Sequence, residues 1–168
     1  MKIFDFATRL MSMSDKVWRR HANPWSVWTR IPLIFVMAPA AYSWKYLGWW
    51  AVLPLSLCFI WAYLNPRIFA PVKAIDTWAS KAVFGEKIFT ERKKKGHRIP
   101  LHHIQVANIL TISASLFALL MILGIVLLDA WMTFAGTLGS WLSKMWFIDR
   151  MVWLYEDKKE LLDLKEED

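Results

Sequence analysis

The sequence has 168 residues, of which 57% are hydrophobic, and it contains 12 tryptophans. One small soluble core cannot bury that much apolar and aromatic surface, so the composition predicts a membrane protein. The net charge of +7 comes from lysines and arginines that lie outside the apolar runs, as in cytoplasmic loops of membrane proteins. Anionic lipid is therefore the expected partner, and nucleic acid is not.

The N-terminal residues 1–24 predict an amphipathic helix lying on the membrane surface. Apolar residues recur there at helical spacing, and charged residues occupy the opposite stripe. The helix is expected to stop before Pro24, because a proline disfavours helical geometry in the residue that precedes it.

Four apolar runs follow, and they predict four transmembrane helices in two hairpins. The first hairpin contains three prolines, so its helices are expected to be either kinked or re-entrant. The predicted fold is an all-α integral membrane helical bundle in a single domain, 1–168, with amphipathic interfacial helices. Its parts are the spans 26–44, 47–64, 104–128 and 130–148, a cytoplasmic surface helix and basic loop over 71–95, and a cytosolic C-terminal helix over 149–168.

The fourth predicted span carries a stripe of small residues. Small side chains allow another helix to approach closely within a membrane. We therefore expect this stripe to be a helix-packing surface, formed by Gly136, Gly139, Ser140 and Ser143.

The distribution of basic residues predicts the orientation. Six lysines and arginines precede the first span, nine lie in the central loop and four follow the fourth span, whereas the two hairpin turns offer Lys45 alone. By the positive-inside rule, both termini and the central loop are expected to be cytoplasmic.

Polar residues gather at the predicted cytoplasmic ends of the spans. Arginine suits phosphate oxygens, and a partly dehydrated interface strengthens such bonds. These residues could form a rim that holds an anion, or each could simply anchor or cap one helix end. The rim comprises His21, Asn23, Arg30, Asn65, Arg67, Glu86, Arg98, His102, Lys144, Asp149, Arg150 and Glu156. The residues expected to bind a lipid headgroup or another anion are Arg30, Arg67, Arg98, His102, Lys144 and Arg150.

No metal, haem or other cofactor is expected. The four histidines, His21, His97, His102 and His103, fall on the cytoplasmic side rather than at mid-depth, where haem ligands would lie. Few carboxylates are in register with them, and no catalytic motif is present. No catalytic residue is assigned.

Four strings in the sequence resemble a small, uncharacterised family of prokaryotic multi-span membrane proteins. They are HANPWSVWTR at residues 21–30, NPRIF at 65–69, WASKAVFGE at 78–86 and WFIDRMVWLYED at 146–157. The resemblance implies a prokaryotic plasma-membrane protein and brings no activity or ligand with it.

The favoured function is a non-enzymatic membrane scaffold or accessory protein that engages anionic lipid or a protein partner through its cytoplasmic face. One alternative is a small transporter or channel subunit, which would have to form a homo-oligomer to enclose a pathway. The other alternative is a membrane enzyme that acts on a lipid headgroup at the polar rim.

Overall fold

The computed structural model describes residues 14–93 and 95–161, and these form helices with no β-strand among them. The predicted all-α class is therefore confirmed for this part of the chain. Most of the predicted N-terminal helix and the end of the predicted C-terminal helix lie outside the described residues. The helices are α1 (Asp15–His21), α2 (Pro24–Arg30), α3 (Leu33–Tyr42), α4 (Trp44–Leu47), α5 (Val52–Ile68), α6 (Trp78–Glu91), α7 (Leu101–Leu127) and α8 (Ala130–Lys158), with 3₁₀ turns at Gly48–Ala51 and Lys159–Leu161.

The first two helices are separated by a short break at the predicted position. α1 ends at His21, and α2 begins at Pro24, whose missing N–H costs nothing at the first helical position. Asn23 caps α2, because its side chain accepts a hydrogen bond from the Trp25 N–H at 3.0 Å. Across this break, the last residues of the two helices, His21 and Arg30, lie in contact with each other.

The first arm of the first predicted hairpin, 26–44, is not one regular helix. It is divided into α2, α3 and the start of α4, with an interruption at Ile31 and Pro32. The chain turns at Gly48, which has φ of +53° and is therefore suited to glycine. Beyond this turn, α5 packs back along α3.

Two segments among the described residues, rather than four, are long and apolar enough to cross a membrane: Pro24–Ile68 and Leu101–Leu127. The first contains both arms of the first hairpin. The predicted fourth span does not qualify, because Lys144 and several tryptophan, serine, threonine and glycine residues lower its hydropathy. By this criterion of length and hydropathy, the described residues contain two candidate spanning segments and not the four predicted.

The second hairpin consists of α7 and α8, which pack against each other along most of their length. Leu128 ends α7 in the left-handed conformation, and Asp129 caps α8 by accepting a hydrogen bond from the Met132 N–H at 2.8 Å. No break occurs at 148–149, where the sequence predicted the end of a span. Instead α8 runs on to Lys158 as a single helix.

The predicted surface helix over 71–95 is instead a buried helix, α6. The structure buries nine of its 14 residues, including Ile88 and Phe89, and all of these except Lys87 are small or apolar. Gly85 allows this burial, because a β-carbon there would lie 2.6 Å from the Met151 carbonyl carbon on α8. Amphipathicity correctly indicated a helix, but the neighbouring α8 covers the apolar face that a membrane surface was expected to cover.

The small-residue stripe on α8 lies mainly against α7. A β-carbon on Gly136 would lie 2.6 Å from the Met121 Cα, and one on Gly139 would lie 2.6 Å from Cε1 of the Phe117 ring. Ser143 Oγ is 2.9 Å from Ser113 Oγ on the facing helix. Close approach of the two backbones therefore depends on these positions, whereas Ser140 lines the cavity described below.

Hydrogen bonds join the two hairpins at one end and the first helices to α5 at the other. The Tyr42 hydroxyl donates to the Leu128 carbonyl at 2.8 Å, so the two hairpin turns lie side by side. At the opposite end, Arg20 donates to the Arg67 carbonyl at 2.6 Å, and Asn23 donates to the Ala70 carbonyl at 3.0 Å. The polar end of the bundle thus gathers around α1, α2 and the end of α5.

Candidate functional site

A cavity of about 520 Å³ lies between the first three helices and the helices α5 to α8. Apolar side chains form most of its wall, including Ile31, Ile34, Trp141 and Ile148. Its volume falls within the range of small-molecule sites, which combine apolar walls with a few polar groups. The titratable groups in this wall are His21, Arg30, Glu86 and Lys144.

These four groups come from four different helices. His21 ends α1 and Arg30 ends α2, so the break at Asn23 brings two helix ends together. Arg30 Nη1 lies 2.7 Å from His21 Nε2 and also contacts Nδ1. Across the cavity, Lys144 Nζ on α8 donates to Glu86 Oε1 on α6 at 3.2 Å. The site therefore contains a cation beside a histidine, and a separate ion pair.

The His21 ring is held in its neutral form. Burial lowers the pKa of His21 well below its usual value, and the charges of Arg30, Lys144 and Arg67 lower it further. A guanidinium can only donate hydrogen bonds, so the ring nitrogen that meets Arg30 has to accept. The neutral imidazole meets this requirement.

Arg30 has no carboxylate within ion-pair distance among the residues that the structure describes. The nearby Glu86 is paired with Lys144 instead. A partly buried guanidinium is costly unless an anion neutralises it. With two cations and one carboxylate, the cavity has a net positive charge and can accept one further anionic group.

The structure places the predicted anion-binding residues in different surroundings. Arg30 and Lys144 line the cavity, whereas Arg98 is exposed in the loop before α7. The Arg67 guanidinium lies 4.0 Å from the centre of the Tyr63 ring, and that of Arg150 lies 5.3 Å from the Trp153 ring. The His102 ring lies beside that of His103 at the start of α7, with the two rings tilted by 39°. The six residues therefore do not converge on one pocket.

Two members of the broader rim, His21 and Glu86, join Arg30 and Lys144, although neither was among the expected anion ligands. The sequence could not predict that His21 and Glu86 lie close to Arg30, because these distances depend on how α1 and α6 pack. One signal was present, since His21 precedes Asn23-Pro24, a sequence that caps and starts a helix and so predicts a sharp turn. Asp157, which meets His103, was not identified from the sequence at all.

We expect acidification to destabilise the protein through His21. Its pKa is lower in the folded state than in the unfolded state, so the unfolded chain binds a proton first as the pH falls below about 6.5. Stability is therefore lost from that pH downward until the folded protein also takes up the proton. Melting temperatures of wild type and His21→Asn between pH 7.5 and 5 measure the effect. The variant should lose less stability, and an identical pH dependence in both proteins contradicts the expected role of His21.

Comparison with known families places this chain in one of them. A family model described as "Family of unknown function (DUF6653)" matches residues 5–161 and so covers all four strings that suggested an uncharacterised family. No curated protein and no solved structure matches the chain significantly. Since the match extends over most of the sequence, the chain belongs to the DUF6653 family, whose function is unknown.

Proposed function

We propose that this chain is an integral protein of the prokaryotic inner membrane that binds the anionic headgroup of a lipid in the cavity beside Arg30. It would act as a non-enzymatic scaffold or accessory protein, with lipid as its ligand. The observation that carries the proposal is the Arg30 guanidinium, which lines a largely apolar cavity and is paired with no carboxylate in the described part of the chain.

The membrane setting is supported by the two long apolar helical segments and by the apolar surface of the bundle. Large side chains of α5 and α7 remain exposed, including Leu57, Phe59, Ile112 and Leu116. Soluble monomers rarely expose contiguous apolar surface on that scale, whereas lipid tails cover it without cost. Tryptophans are exposed near the hairpin turns, where aromatic residues prefer a membrane interface, and these include Trp49, Trp50 and Trp131.

The chemistry of the cavity suits an anionic amphiphile. A phosphate or carboxylate would accept hydrogen bonds from Arg30 and provide its missing counter-charge. The chain of the same molecule would lie against Ile34, Trp141 and Ile148. Because Lys144 is paired with Glu86 across the cavity, it would contribute a second, weaker attraction.

Native mass spectrometry of the purified protein tests the proposal. Wild-type protein should retain a bound anionic lipid, and Arg30→Gln should lose most of it because glutamine carries no charge. The matched control is Arg98→Gln, which removes the same charge from an exposed loop outside the cavity. Retention should be near wild type in that variant.

Two results of this experiment would contradict the proposal, and thermal unfolding serves as a control. Equal loss of lipid from the Arg30 and Arg98 variants would mean that only general surface charge attracts lipid. Unchanged retention in Arg30→Gln would also contradict a specific site. Thermal unfolding of each variant shows whether the protein is folded, and Lys144→Gln provides a second charge removal inside the cavity if Arg30→Gln is unstable.

We also predict that both termini are cytoplasmic. The basic residues motivate this orientation, and the contact between Tyr42 and Leu128 supports it by placing both hairpin turns on one side. Fusions of alkaline phosphatase and of a fluorescent protein to the C-terminus provide the measurement. The expected result is a fluorescent, phosphatase-inactive protein, and the opposite pair of signals contradicts the orientation.

A lipid-headgroup enzyme is the second candidate function, because a neutral histidine, His21, lies in the same cavity as Arg30. A neutral imidazole can act as a general base, while arginine orients a phosphate. His21→Asn separates the two functions. An enzyme would lose turnover of the bound lipid while keeping it bound, whereas a scaffold shows no lipid conversion in either protein.

A further inference from the structure

We propose that His102, His103 and Asp157 bind one divalent transition-metal ion of the zinc class where the start of α7 meets the end of α8. One potential ligand atom from each of these residues lies within 4.8 Å of the other two. The site is separate from the cavity beside Arg30 and does not depend on the function proposed for it.

The helical hairpin creates this cluster. His103 and Asp157 lie at similar distances along the chain from the turn at Leu128 and Asp129, so antiparallel packing of α7 and α8 places them opposite each other. His103 Nε2 is 2.8 Å from Asp157 Oδ2. The His102 ring centre lies 4.2 Å from that of His103. Two imidazoles and one carboxylate therefore face one small volume.

The distances are close to those of a metal site. Zinc binds histidine nitrogen and carboxylate oxygen at about 2.0–2.2 Å, so ligand atoms on one tetrahedral ion lie about 3.4 Å apart. His103 and Asp157 would separate slightly to admit the ion, and His102 would move closer. The side chains that would move, His102 and Asp157, are exposed. His103 is only 2% exposed and would hold its position.

The buried ring of His103 is a second observation in favour of a ligand. Among the residues that the structure describes, its buried Nδ1 atom has no hydrogen-bond partner, and Asp157 is the polar partner of Nε2. The other histidine is next to it and exposed. In the metal-free protein an Nε2 proton would bridge to Asp157, and a metal that takes this nitrogen displaces that proton.

The local charge permits a cation. The two lysines that follow Asp157 are directed toward other carboxylates: Lys158 toward Glu160 at 3.7 Å and Lys159 toward Glu156 at 3.5 Å. The described residues of the cluster supply three ligands. Water or an external ligand would complete a four-coordinate site, as in zinc sites that keep one open position.

Binding of Zn²⁺ to the full-length protein, purified without a polyhistidine tag and stripped with chelator, tests the site. Isothermal titration should give one zinc ion per chain. His102→Ala and Asp157→Asn should each weaken the affinity at least about tenfold, since even outer partners of metal ligands cost about 10–100-fold. Glu160→Gln is the matched control, because it removes a nearby exposed carboxylate outside the cluster.

Cobalt substitution provides a spectroscopic readout that a purely structural role would not change. Co²⁺ should give visible absorption in wild type and in Glu160→Gln, but a weaker and altered spectrum in His102→Ala. The His102 variant keeps the hydrogen bond between His103 and Asp157, so its fold should be retained. Absence of stoichiometric zinc binding to wild type, or equal affinity in wild type and both ligand variants, overturns the proposal.

Discussion

Replacing Gly136 with leucine is expected to destabilise the α7–α8 hairpin strongly. A β-carbon at this position would lie 2.6 Å from the Met121 Cα and 2.7 Å from the Phe117 carbonyl oxygen. These are backbone atoms, so the two helices have to separate to admit any side chain. Overpacking of this kind typically costs about 1–3 kcal/mol, and separation of a long hairpin adds lost contacts. The midpoint of thermal unfolding in detergent measures the effect.

Two variants on the same helix act as controls. Gly139→Leu should be less damaging, because the atoms it meets belong to the Phe117 side chain, which can rotate away. Ala135→Leu places the same side chain on the exposed face of α8 and should leave the melting temperature near wild type. Equal melting temperatures for Gly136→Leu and Ala135→Leu would show that the helices do not pack at Gly136.

The sequence predicted which residues form this packing surface, but not which of them contributes most to stability. Small residues at helical spacing identified the stripe, because that pattern allows helices to approach closely. Which member meets backbone and which meets a side chain depends on the rotation of α8 about its axis. The sequence alone does not determine that rotation, and so Gly136 and Gly139 could not be ranked from it.

For α6, the sequence predicted the helix but not what covers its apolar face. Its amphipathic pattern predicted a helix correctly, but a membrane surface and a protein partner both cover an apolar face. Gly85 favours a protein partner over a membrane surface, because a glycine inside a helix costs stability unless it allows close packing. Here its missing side chain admits the Met151 backbone. The extent of α8 was missed for another reason: Asp149 and Arg150 resemble a membrane boundary, yet neither interrupts a helix.

The sequence predicted which kinds of residue lie at this end of the bundle, but not which of them share a cavity. Charge and topology placed the arginines and histidines near one end of the bundle. Convergence required the packing of α1, α2, α6 and α8, none of which the sequence specified. Arg30 and Lys144 therefore share a cavity with His21 and Glu86, whereas Arg98 is exposed in a loop and Arg150 lies near the Trp153 ring.

Replacing Asn65 with leucine is expected to be among the most destabilising changes near that cavity. Ser26 and Asn65 are both fully buried, and the Ser26 hydroxyl donates to Asn65 Oδ1 at 2.7 Å. Asn65 Nδ2 in turn donates to Thr29 Oγ1 at 2.7 Å, so one side chain on α5 holds two positions on α2. Leucine removes both bonds and leaves the Ser26 hydroxyl buried without its partner. Such a loss costs about 1–3 kcal/mol.

A double-mutant cycle separates the hydrogen bond from simple packing. Ser26→Ala combined with Asn65→Leu removes both partners, so it should be less destabilising than the sum of the two single changes. Strict additivity would show that the bond contributes nothing. The single variant Asn65→Leu also tests whether this contact positions Arg30, because α2 carries both Ser26 and Arg30. If the contact with Asn65 positions Arg30, Asn65→Leu should retain less lipid than wild type even at a temperature where the protein is fully folded.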